Sequence, residues 1–134
     1  MCSAELFHAY QSAIYRVNAT PPFDVRVGDR SESADDLLPA GCESWAFITA
    51  CNPGSRPRLT DDQNAERTQS LRAMLNGWKI IDGEGHSQDN EWREPSFLVL
   101  GIDEARASEI ALAFGQAAYV AGTRGGVARL VLPG

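Results

Sequence analysis

No long apolar run occurs in these 134 residues, so nothing approaches the length that spans a membrane. The first residues carry no signal-peptide core either, and a cytoplasmic protein is expected. Cysteine is scarce and odd in number. Cys2, Cys42 and Cys51 show no CxxC spacing, which leaves zinc without an obvious ligand set and points to reduced thiols. Basic residues are in deficit, 12 against 18 acidic ones, for a formal charge of -6. Such a surface repels phosphate backbones, so no nucleic-acid partner is expected. Arg56, Arg58 and Arg67 form a small basic patch at most. The chain also lacks GxxxxGK[ST], GxSxG, HExxH and EF-hand patterns, internal repeats and low-complexity tracts. What is present is 43% hydrophobic and 22% charged, enough apolar surface for one domain with a real core.

Residues 44–85 organise that domain. Ser-Trp-Ala-Phe-Ile-Thr-Ala reads as a buried strand over 45–50, followed by a polar loop, a helix over 60–76 and a strand over 78–82. The helix starts at Thr60, with Gln63 completing a capping box and Asp61 and Asp62 at the positive end of the helix dipole. At about 100° per residue, Asn64, Arg67, Leu71, Met74, Leu75 and Trp78 share one face. That stripe turns polar at Asn64 and Arg67 while still pointing inward, so those groups need partners or an exit to solvent. Upstream, helical spacing predicts a helix over 3–18, stopped by Pro21 and Pro22, then a half-wet strand over 23–27 and a loop over 28–43 with a helical turn near Asp35. Downstream, residues 83–94 read as a long polar connection and 96–101 as a third buried strand. A helix capped by Asp103 and a hairpin across Gly125-Gly126 follow.

The fold class expected is α+β. From Trp45 onward the order β-α-β-β-α-β is the ferredoxin-like split βαβ plan with one extra C-terminal strand, preceded by an N-terminal helix and strand. One domain spans 1–134, with 1–43 packed on 44–134. In that plan the strand over 96–101 lies between 45–50 and 78–82. One sheet edge then collects Asn52, Ser55, Arg56, Asn64, Arg67, Glu84, Trp92, Glu94 and Ser96 from four stretches.

Ala46-Phe47-Ile48-Thr49-Ala50, Asn52-Pro53, Ser55-Arg56-Pro57, Asn64, Arg67, Gly83-Glu84-Gly85, Trp92, Glu94-Pro95-Ser96 and Phe114-Gly115-Gln116 occur in an order that resembles the bacterial family catalogued as domain of unknown function 3293. The resemblance runs from about Tyr10 onward and carries no assigned activity. Members typically have an aromatic residue where this chain has Cys51, which argues against a shared nucleophile there.

Three functional expectations follow. The first is a small-ligand binding domain. An anionic group sits near Thr60, held by Arg56 and Arg67 with Asn52 or Ser55 and Asn64, while Glu84 and Glu94 take a cationic part and Trp92 walls the site. The second is a metal-assisted or acid/base hydrolytic enzyme using Glu84 and Glu94, joined by Asp82 or Asp89 if a metal binds and assisted by His86. The third has no ligand, with the sheet edge or open face serving homo-oligomer formation. A Cys51–His86 dyad lacks an orienting group, and Gln116 reads as a turn residue. The first expectation also sets a geometric test: Arg56 or Arg67 should lie within salt-bridge reach of Glu84 or Glu94.

Overall fold

Three strand-forming stretches, each alternating or continuously apolar, supply the centre of the sheet, and two capped amphipathic helices cover one of its faces. The structure, a computed structural model, describes residues 3–53, 58–89 and 92–133. Its elements are α1 (Ser3–Ser12), β1 (Ile14–Val17), β2 (Phe23–Val25), α2 (Glu32–Leu37), β3 (Ser44–Thr49), α3 (Asp61–Met74), β4 (Lys79–His86), β5 (Arg93–Leu100), α4 (Glu104–Ala113), β6 (Tyr119–Thr123) and β7 (Arg129–Val131). The strand order is β2-β1-β4-β5-β3-β6-β7, and every neighbouring pair is antiparallel. Strand β5 therefore lies between β3 and β4, as expected. No described helix is long and apolar enough to cross a membrane.

Helix α3 begins on the capping box, with Gln63 N donating to Thr60 Oγ1 at 3.1 Å and Thr60 N to Gln63 Oε1 at 2.9 Å. Leu71 and Leu75 are its buried anchors, whereas Met74 is 47% exposed, so the inward stripe is narrower than the spacing suggested. The helix ends at Met74, ahead of Gly77, whose backbone is not left-handed. Asp103 caps α4, which buries Ala107, Ile110 and Ala111 as expected. Both helices pack with Ile48, Phe97 and Val99 in one cluster, on one face of the sheet.

The other face is covered by the sheet itself. The predicted helix over 3–18 is corrected here: it stops at Ser12, and β1 follows, because Ala13, Tyr15 and Val17 are buried at a period of two. A flat sheet would hold β1 roughly 14 Å from β3, three strand spacings away. Yet the Tyr15 and Phe47 rings meet edge to face at 5.4 Å. The sheet curls at β4, where Gly83 and Gly85 occupy the inner face. A Cβ on Gly83 would lie 2.5 Å from the Arg16 carbonyl oxygen and 2.9 Å from the Phe47 ring. Glycine is what allows that approach. Half of the polar connection expected over 83–94 is thus strand, since β4 and β5 pair from Lys79↔Leu100 out to His86↔Arg93.

The curl brings the two ends of the sheet together. Gly28 N donates to Ala128 O at 2.8 Å and Ala128 N to Asp29 O at 2.9 Å. Helix α2 adds Ala34 and Leu38 to the inner cluster and is tied down where Gly125 N donates to the Asp35 carboxylate at 2.9 Å. The opposite end of the curl, near Thr49, Gly85 and Glu94, holds a pocket.

Candidate functional site

The chain leaves β3 through a tight turn in which Asn52 adopts φ 45°, a left-handed backbone that asparagine tolerates better than most residues. Its polar groups are held from several directions. Asn52 N donates to Asn64 Oδ1 at 3.0 Å, and Asn52 Oδ1 accepts from Leu59 N at 2.9 Å and from Asn64 Nδ2 at 3.1 Å. The carbonyls just before it are taken as well. Arg67 Nε donates to Ala50 O at 2.6 Å, and Gln116 Nε2 donates to Cys51 O at 3.0 Å. A second Arg67 nitrogen donates to Phe114 O, and the guanidinium lies over the Phe114 ring at 5.7 Å. The polar end of the α3 stripe thus finds its partners in backbone carbonyls.

The remaining arm of Asn52 points at the pocket. Its Nδ2 donates to Glu94 Oε2 at 2.9 Å, while Oε1 of Glu94 accepts no hydrogen bond from a described residue. Glu94 sits opposite Gly85 in the β4–β5 register, and Gly85 in turn sits opposite Tyr15 on β1. With no side chain on Gly85, the Tyr15 and Trp92 rings settle over it, within 3.5 and 3.7 Å of where a Cβ would stand. Tyr10, Phe47, Thr49 and Ser96 are among the other lining residues. The cavity measures about 20 Å³, room for roughly one water-sized group.

Burial dominates the electrostatics. It pushes the Glu94 carboxyl above the ordinary glutamate value, against the Asn52 hydrogen bond and the positive charge of Arg58, which pull it back. Burial and then the Glu94 charge push Tyr10 up to about 12, and burial, then Tyr10 and Glu94, raise Tyr15 as well. Burial also pushes the Cys51 thiol up, more than its hydrogen bonds to Thr49 and Thr68 lower it.

Several expected site residues do not meet. In the β4–β5 register Glu84 pairs with Pro95 and Gly85 with Glu94, so alternation puts Glu84 and Glu94 on opposite faces of the sheet. They are not an acid/base pair, and Glu84 is instead bonded to Arg93 at 2.8 Å. No metal-competent group of three His, Cys, Asp or Glu side chains exists among the described residues, and Asp82 is paired with Arg72 at 3.1 Å. His86 shares the face of Glu84, with Nδ1 2.9 Å from Ser87 O, so it assists neither Glu94 nor Cys51. Cys51 Sγ lies near Thr68 Oγ1 at 3.7 Å and Pro95 O at 3.8 Å. The expected Arg67–glutamate ion pair is absent among the described residues, because the backbone carbonyls at both ends of the loop claim the guanidinium first. Ser55 and Arg56 lie outside the described residues.

Asn52, Asn64, Trp92, Glu94 and Ser96 do converge as expected. Tyr10 and Tyr15 are site residues that the sequence reading does not single out, because both lie within the helix expected over 3–18, although the alternation of Ala13, Tyr15 and Val17 carries the signal. Gln116 is the turn residue it was read to be, and it bonds across 65 positions to the loop after β3.

The segment 48–119, which includes every member of this network except Tyr10, Tyr15 and Phe47, matches the family model described as "Protein of unknown function (DUF3293)". No curated protein and no solved structure matches the chain.

Proposed function

This chain belongs to the DUF3293 family of proteins of unknown function, and on that premise we propose that it is a small-ligand binding domain whose site is the Glu94 pocket. One observation carries the reading. A carboxylate fixed through one oxygen by Asn52 lines a pocket together with aromatic rings at the open end of a curled sheet. Concave, mostly apolar sites with one well-placed polar group are the usual form of small-molecule pockets, barrel mouths included. The anionic part of the ligand belongs outside the pocket, toward Arg58, the described arginine whose charge reaches Glu94. Arg67 is already committed to backbone and serves as a clamp on the loop. We also infer a ferredoxin-like core. The order β6-β3-β5-β4 and the shared face of α3 and α4 support it.

A second reading has one observation in its favour. Glu94, raised by burial, is poised to act as a lone general acid or base in hydrolysis, without Glu84. Screening wild type and Glu94→Gln by saturation-transfer NMR against free amino acids, monocarboxylates and alkylamines tests the binding proposal. At least one probe is expected to bind wild type and lose most of its signal with Glu94→Gln. Equal binding to both proteins, or none to either, would contradict it.

A further inference from the structure

We infer that the Glu94 pocket takes the primary ammonium head of a small organic amine. This rests on the ligand-binding reading above and adds the chemical class of the group that enters.

Charge selects first. Apart from tyrosines, the only ionisable side chain among the described lining residues is the Glu94 carboxyl, whose ionised form repels an entering anion and attracts a cation. Asn52 is already the donor to Oε2, and no described residue donates to Oε1, which is left as an acceptor for an N–H group. The walls select next. Tyr15 and Trp92 stand over Gly85, and Phe47 meets Tyr15 edge to face at 5.4 Å, so aromatic rings line the pocket that the carboxylate shares. A cation among such rings gains attraction from their quadrupoles, and more so when desolvated. A neutral donor would gain only the hydrogen bond.

Size decides between kinds of ammonium. A cavity of about 20 Å³ admits one water-sized group. An –NH₃⁺ head is of that size, whereas a trimethylammonium head is several times larger and would have to displace Trp92 or Tyr10. The rest of the molecule then lies outside.

The test is a ¹H–¹⁵N NMR titration of the full chain with methylammonium, tetramethylammonium and acetate at matched ionic strength. Methylammonium should move the Trp92 indole and Gly85 amide signals saturably, and the other two should not. Glu94→Gln should weaken methylammonium at least tenfold. Should that variant lose its dispersed spectrum, Trp92→Ala, which removes a wall and leaves the carboxylate, should weaken it too. A saturable response to tetramethylammonium or acetate in place of methylammonium would overturn the ammonium assignment and leave the pocket as a ligand site. No saturable response to any of the three would overturn the inference. If the broader screen failed as well, the ligand-binding reading would fall with it.

Discussion

Arg67 shows why residue type alone does not assign a role. The sequence places it on an inward stripe that turns polar, and that much was legible. Its partner was not, because backbone carbonyls leave no mark in sequence, and Ala50 and Phe114 look apolar when read as side chains. The guanidinium bridges the carbonyls that end β3 and α4. Arg67→Ala should therefore cost about 2 kcal/mol in urea denaturation, since hydrogen bonds from a charged donor are worth roughly 1.5–3 kcal/mol each and water can replace part of that at a half-buried site. The loss should be additive with that of Glu84→Ala, whose partner is Arg93. Coupling between the two would contradict the placement. Glu94 makes the second prediction at this scale. Its folded pKa is raised, so the folded state holds a proton that the unfolded chain releases earlier. Stability relative to Glu94→Gln should then be unaffected below the ordinary glutamate value near 4.5. It should fall as pH rises from there to the raised value, and stay level above it. Paired denaturation curves at several pH values would show it, and a difference that grew in the opposite direction would refute the burial of Glu94.

Among the elements, β4 was the hardest to read. Gly83-Glu84-Gly85 reads as the start of a polar connection because glycine weakens strands and glutamate favours water. In the folded chain both glycines are inner-face positions where neighbouring rings stand, and Glu84 points to the other side. The same misreading paired Glu84 with Glu94, since two residues at loop ends can meet but two at adjacent antiparallel positions 84↔95 and 85↔94 cannot. Strand β1 was hidden for a related reason. Ala13, Ile14 and Val17 continue a helical stripe from α1 about as well as Ala13, Tyr15 and Val17 alternate, and the packing of Tyr15 on Phe47 decides. Capping signals were more reliable: Thr60 with Gln63 and Asp103 mark the starts of α3 and α4 correctly, because a cap is a local interaction. Gly83→Ala tests the curl. Its Cβ would strike the Arg16 backbone, so a loss of about 1–3 kcal/mol or more is expected by denaturation. Gly77→Ala meets nothing within 4 Å and should be neutral or slightly stabilising. Equal tolerance of both would mean that β4 and β1 do not approach as described.

For the whole molecule, the place of β5 between β3 and β4 is legible in the sequence, and β1 and the curl are not. Alternating and continuous apolar runs locate β3, β5 and β6, and the two helical connections restrict how they can neighbour one another. Curling depends on glycines whose effect is felt three strands away, and on hydrogen bonds between residues 28–29 and 128 at the far ends of the sheet. It is the curl that gives the molecule a pocket, by folding Tyr15 over the inner face while α2 closes one end and leaves Glu94 at the other. The most direct measurement is the ¹³C NMR titration of the Glu94 carboxyl carbon, with and without saturating methylammonium. The free protein should titrate above 4.5, and the added cation should lower the midpoint by favouring the charged form. A midpoint at the ordinary value, unmoved by methylammonium, would contradict both the buried carboxylate and the ligand it is built to hold.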